Sequence, residues 1–254
     1  MKDFLISLLT KKLIVRFSNK SVILPLDVQK KIDAYWDELF QSGKTYKRGE
    51  VFTVTKKESF DDRLEILVEK TDYAHYLYCQ NVDTLGEYGV HIIHTAVLVE
   101  TSDMKTIFGK MGEHTSRSGI YQLCGGGIDN DDLRDGIFDF EHNITKELRE
   151  ELGIDVNDKQ RVGTFELAYL KEGGPTDKMT VIYRVVLNET SEKFMEQYDA
   201  FVRQLQVSGE TEEFGEIVAL DRNKISFDNF FNQEGIKLDE YMKPLFEYLA
   251  QGVE

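Results

Sequence analysis

Glu147, Glu150 and Glu151 stand at i, i+3 and i+4, a spacing that puts all three carboxylates on one face of a helix. Ile144, Leu148 and Leu152 fall on another face and can anchor that helix to a core. Three neighbouring like charges repel. A hard divalent cation offsets the repulsion and supplies a Lewis acid. Upstream stands Gly125-Gly126-Gly127, where backbone without side chains can approach an anion closely. Glutamates along a surface helix are ordinarily just a solvated face. The ordered set of glycine turn, helix and closing Gly153 points to metal-assisted chemistry on an anionic substrate.

The run Glu147-Leu-Arg-Glu-Glu-Leu-Gly-Ile154 resembles, without a gap, the C-terminal half of the Nudix box, Gly-x5-Glu-x7-Arg-Glu-U-x-Glu-Glu-x-Gly-U with U aliphatic. The N-terminal half departs from the pattern. Lys146 stands for the family's arginine and keeps its charge without the planar two-pronged donor. About five residues are inserted after the glycines, within the polar, turn-like segment Asp129-Asn-Asp-Asp-Leu-Arg-Asp-Gly136. Phe138 occupies the upstream glutamate position. That glutamate commonly pairs with the arginine in the family, so both partners have changed. Asp139 is expected to cap the helix, and Glu141 ranks below the three main glutamates as a further carboxylate.

The resemblance implies an α/β/α sandwich over residues of about 90 to 252 and hydrolysis of a nucleoside diphosphate linked to another group. It implies Mg²⁺ (or Mn²⁺) held by Glu147, Glu150 and Glu151, with Glu150 and Glu151 the foremost ligands. A general base is expected from a later loop, at Glu212 or Glu213. Gly125, Gly126 and Gly127 are expected at the substrate, with Lys110 and Arg117, and His114 beside them, reaching its phosphates. The N-terminal part resembles the extension of eukaryotic Nudix hydrolases that cleave UDP-glucose, through Tyr35-Trp-Asp-Glu-Leu-Phe40, Phe52, Leu64–Leu67 and Thr71-Asp-Tyr73. A plain cap on the sandwich accounts for those residues equally. A nucleotide sugar is one substrate class this allows. The competing function is a Nudix-fold sensor that binds a nucleotide metabolite without cleaving it. The altered upstream pair favours the sensor; the three retained glutamates favour the enzyme.

The 254 residues carry a net charge of −15, which argues against non-specific binding to nucleic acid or an anionic membrane. A small-molecule nucleotide remains compatible, and monomer and homodimer are both open. Cys79 and Cys124 form no CxxC pair, so neither a disulfide framework nor a zinc site is expected. The apolar run near the N-terminus is too short for a signal peptide, and no stretch is long enough to span a bilayer. A cytoplasmic protein is the default expectation.

A mixed α/β (α+β) chain follows from the periodicities. Residues 12 to 24 hold two short strand-like runs around Ser18-Asn-Lys20. A helix runs from Leu26 to about Phe40, with Trp36 in its core stripe. Val51–Thr55 and Arg63–Glu69 form a hairpin, while Thr71–Tyr78 reads equally as helical turn or connector. Residues 1–88 thus make a small α+β extension or cap, and 89–254 the catalytic domain. There, strands are expected near His91–Glu100, Thr106–Phe108, Tyr121–Cys124, Arg161–Lys171, Met179–Asn188 and Glu216–Asp221. Helices are expected at the box, Phe194–Leu205 and Asp239–Ala250. His91 and His94 lie in an apolar run and read as core or edge residues.

Overall fold

The computed structural model describes residues 2–44 and 46–251. The chain begins with β1 (Lys2–Leu8), β2 (Lys12–Ser21), α1 (Leu26–Gln41), β3 (Glu50–Ser59), β4 (Arg63–Asp72) and α2 (Tyr73–Asn81). It continues with β5 (Ile93–Glu100), β6 (Lys105–Met111), β7 (Ile120–Gln122), β8 (Leu133–Arg134), β9 (Ile137–Phe138) and α3 (Phe140–Leu152). The remainder is β10 (Val162–Gly174), β11 (Met179–Leu187), α4 (Ser191–Ser208), β12 (Phe214–Asp221), α5 (Lys224–Phe231), β13 (Lys237–Leu238) and α6 (Met242–Gln251).

The larger sheet runs β1-β10-β11-β5-β6-β7-β13, with β12 also on β6. Its centre is the parallel pair β5–β11, in register from Ile93↔Met179 to Glu100↔Val186. Successive side chains of a strand point to opposite faces, and the β5 sequence is apolar on both. Val97 and Val99 join a core with Ile144, Leu148 and Leu152 of α3 and Phe194 and Tyr198 of α4. Ala96 and Leu98 join a second core with Phe227 of α5 and Met242, Leu245 and Phe246 of α6. The fold is therefore a mixed α/β sandwich, helices covering both faces of the sheet.

The smaller sheet has the order β3-β4-β2-β9-β8. The hairpin expected from Val51 and Arg63 is present as antiparallel β3–β4. Of the two runs expected between 12 and 24, the first lies in β2, which continues through the expected turn to Ser21, and Val22–Leu24 lie outside any strand. Asn19 takes a positive φ of 59° and the pairing with β4 shifts register between Phe17 and Ser21, so the predicted turn is only an irregularity within the strand. Residues 73–81 are helical, with the Asp72 carboxylate accepting from the His75 N–H at 2.9 Å. Helix α5 answers no sequence expectation.

Neither sheet keeps to one half of the sequence. β1 pairs with β10 in the large sheet, and β9 brings the box insertion into the small one, with Ile137 opposite Arg16. Phe52, Ile66 and Val68 share one core with Val97 and Ile144. The insertion is ordered: Asp129 caps a short 3-10 turn, then β8 and β9 pair across Asp135-Gly136, whose φ values are 50° and 79°. Asp-Gly at two left-handed positions is the two-residue turn that matches strand twist.

Candidate functional site

Helix α3 has the ends its sequence calls for. Asp139 accepts from the His142 N–H at 2.9 Å, and Gly153 closes the helix at φ 64°, satisfying terminal backbone groups. Ile144, Leu148 and Leu152 are buried, which fixes the helix rotation and turns Glu147 and Glu151 toward the glycine turn. Glu151 is only 3% exposed, and its Oε2 accepts the Gly125 N–H at 3.1 Å. A Cβ on Gly126 would overlap the Glu147 carboxylate, and one on Gly125 would overlap the Thr95 carbonyl. Packing against the β5 backbone, at a φ of 148°, therefore demands glycine at 125, whereas a side chain at 126 would only push the Glu147 carboxylate aside. The Gly126 carbonyl accepts from the Thr95 N–H at 2.9 Å and the Gly127 carbonyl from Asn143 Nδ2 at 3.1 Å.

The carboxylates burden one another. Burial foremost pushes Glu147 up to about 7, with Lys146 opposing and Glu213, Glu150 and Asp132 adding to the rise. Burial likewise raises Glu151 well above the usual carboxylate range, with Glu213 and Glu147 adding, while the Cys124 thiol and the Gly125 N–H oppose. Glu213, in the loop before β12, thus belongs to the cluster. Its carbonyl accepts the Gly112 N–H at 2.8 Å. The charge of Glu212 is felt at Tyr198, as is that of Glu151. Glu150 and Glu141 are exposed, so the three glutamates expected to act together divide into Glu151 buried, Glu147 half-buried and Glu150 at the surface.

A donor set made wholly of carboxylates suits a hard divalent cation, and the mutual repulsion is what such a cation would relieve. Among the described residues no three His, Cys, Asp or Glu side chains stand close enough to hold a metal as they are. The chemistry of the set fits the cation; its spacing is looser than a coordination shell.

The insertion returns an acid to the helix. Lys146 Nζ lies 3.2 Å from Asp129 Oδ2, so a carboxylate–cation pair exists although Phe138 fills the upstream glutamate position. Phe138 is buried, its ring 4.7 Å from that of Phe52. Asp132, fully buried, accepts from Asn143 Nδ2 at 2.9 Å, and the Thr95 hydroxyl donates to Asn143 Oδ1 at 2.5 Å. This chain of bonds ties the insertion, α3 and β5 to the glycine turn.

On the other side of the glycines opens a cavity of about 350 Å³. The glycine turn and Thr95 form one wall, Phe52 and the α2 residues Tyr73 and Tyr76 another, and Arg117, Lys178 and Asp239 line it as well. Arg117, expected to reach substrate, is here and is paired with buried Asp239. Lys110 is not; it faces Glu216 at 4.0 Å and the ring of Tyr121. His114 sits over Gly112. His94, expected to be a core or edge residue, borders the cavity, with Nε2 2.9 Å from the Thr180 hydroxyl. Burial, then Lys178, Arg117 and Lys171, lower it to about 3, with Glu240 opposing. Cys124 is a packed thiol that burial raises well above its usual value. Sequence reasoning missed Asp129, Asn143, Tyr76, Lys178 and Asp239. Only the Asp135-Gly136 turn, which implies an ordered insertion, offered a local clue to any of them.

No family profile matches the chain, and no curated protein matches it in sequence. Solved structures do. The MutT protein from Methanosarcina mazei Go1 is 13% identical at a TM-score of 0.37, the match covering 64% of this chain and 94% of that one. The NUDIX domain of Shewanella oneidensis NrtR, in complex with ADP ribose, is 12% identical at 0.38, covering 70% and 97%. DR0079 from Deinococcus radiodurans is 9% identical at 0.47, covering 79% and 99%. No helix among the described residues is long and apolar enough to cross a membrane.

Proposed function

We propose that this protein is a Nudix-type hydrolase that uses a divalent cation to cleave the pyrophosphate linkage of a nucleoside diphosphate joined to another moiety, a nucleotide sugar being one such class. The observation that carries this reading is the pair Glu147 and Glu151, from the box motif, at a glycine turn that borders a ligand-sized cavity, with the charge of Glu213 felt by both. Attack on a diphosphate must overcome repulsion from the phosphate oxygens. Mg²⁺ or Mn²⁺ would supply charge neutralisation and a more acidic bound water. Glu147 and Glu151 would hold it, with Glu150 reaching in from the surface. Glu213, the acid contributed from outside the helix, would take the proton of the attacking water. Gly125 fixes Glu151 through its N–H, and the Asp132–Asn143–Thr95 chain keeps the glycine turn in position.

The case for a non-catalytic sensor rested on the loss of the upstream pair. Asp129 and Lys146 form such a pair from the insertion, which supports the enzyme. Purified protein with Mg²⁺ or Mn²⁺ should release phosphorylated products from at least one of sugar nucleotides, ADP-ribose, dinucleotides, CoA and nucleoside triphosphates. Glu151→Gln should lose about a hundredfold or more of that turnover while keeping the wild-type melting transition. Tight nucleotide binding without turnover on any of these compounds would overturn the hydrolase reading.

A further inference from the structure

Buried charge in the cavity wall does not balance. Three cations gather there: Lys171, Lys178 and Arg117. Lys171 is spent on Glu240, and Arg117 on Asp239. Lys178 is 6% exposed and lines the cavity. Among the described residues its ammonium has no hydrogen bond or ion pair; its one direct partner is the face of Tyr76, 5.7 Å away. Its neighbour His94 is neutral and cannot compensate it. Burial disfavours its charged form and only the more distant charges of Asp239 and Glu240 oppose that; a desolvated ammonium with no anion in contact is costly, and a protein keeps one chiefly where a ligand supplies the missing charge.

The rest of the wall fits an organic body that bears this anion. Tyr73 and Tyr76 stand side by side, ring centroids 5.7 Å apart and tilted by 31°. Their helix is held in place by Asp72 at its first turn and by His75, whose Nε2 lies 2.8 Å from the Tyr88 carbonyl. Phe52 and Ile128 add apolar surface. The glycine turn that touches Glu151 lines the same cavity. A ligand with its diphosphate at the glutamates would have the rest of this cavity, Lys178 included, for its far moiety.

We propose that the cavity selects a substrate whose group beyond the diphosphate carries its own anionic substituent, a carboxylate or phosphate ester, with Lys178 as the counter-charge and Tyr73 and Tyr76 flanking the moiety. This rests on the hydrolase reading for where the diphosphate lies. The test measures binding by calorimetry in EDTA, where no cation-dependent turnover occurs. Matched probes differ by one anionic group: UDP-glucuronate against UDP-glucose, and NADP against NAD. In at least one pair the anionic member should bind about tenfold more tightly or better. Lys178→Met, which keeps the length of the side chain and removes the buried charge, should abolish that preference and leave the neutral member's affinity unchanged. Its melting temperature should equal or exceed that of the wild type. Equal affinity in both pairs, or no binding of either anionic member, overturns the assignment from wild-type protein alone. Equal weakening of both members by Lys178→Met does so as well. Turnover with Mg²⁺ and no anionic preference would sink this proposal alone; preference without turnover would sink the hydrolase reading alone.

Discussion

His94 should make the fold acid-labile by an amount that the geometry sets. Its imidazole is buried beside Lys178, Arg117 and Lys171, with Glu240 the one opposing charge, and its pKa falls from 6.5 to about 3. The unfolded chain takes up a proton that the folded chain refuses. Its contribution is therefore fully present above the unfolded value and is lost as pH falls toward the folded one. Between about pH 6.5 and 4.5 the loss is ~2.7 kcal/mol at 1.36 kcal/mol per unit, reduced to ~2 kcal/mol by the partial exposure of the ring. Glu147 acts with the opposite sign. Its pKa rises from 4.5 to about 7, so its contribution is fully present below the unfolded value and is lost as pH rises through the folded one. Glu151, raised likewise, shares the sign of Glu147, and His75, lowered by burial, shares that of His94; these groups are common to wild type and His94→Asn, so only the His94 contribution separates the two proteins. Urea unfolding of metal-free wild type and variant at about pH 7.5 and 4.5 measures the difference of differences, which removes any fixed packing cost of the substitution. Relative to wild type, the variant should gain about 2 kcal/mol on going to the lower pH. A stability gap that is the same at both pH values would refute a neutral, desolvated His94.

Two further substitutions address the active cluster and the joint beneath it. Glu213→Gln should lower turnover by about a hundredfold, whereas Glu212→Gln should leave turnover near wild type; the reverse ranking would misassign the base. Phe138→Ala should destabilise the protein by about 3–4 kcal/mol in denaturant unfolding, because its ring is buried against Phe52 where the insertion meets the small sheet.

What the sequence discloses and what it conceals divide along chain distance. The face shared by Glu147 and Glu151 is a local property of helical spacing, as is the capping by Asp139 and Gly153, and the structure has all of these. Exposure of Glu150 is not local, because it depends on which neighbours crowd the helix. The strands β5, β10, β11 and β12 were legible from their apolar runs. Helix α5 was not, because Lys224–Phe231 is short and mixes polar and aromatic residues without a clear stripe. The cavity was hidden most completely. Lys178 sits at the turn into β11 and Tyr76 on α2, and only the β5–β11 pairing and the fold of the N-terminal segment bring them together. Replacement of the lost carboxylate by Asp129 required the insertion to fold back over α3, which a gap in a motif does not reveal.

The pairing of β1 with β10 sets a timetable for synthesis. Lys2 lies opposite Gly174 and Leu8 opposite Tyr169, so β1 cannot find its place until β10, far along the chain, has been made. At about 5–20 residues per second, its backbone and the exposed side chains of Leu5 and Leu8 wait many seconds without a partner. An unpaired strand in that interval is open to wrong pairing with other chains. Closing so long a loop also slows the final folding step. The charged residues Asp3 within the strand and Lys11-Lys12 after it would serve as guards over that delay.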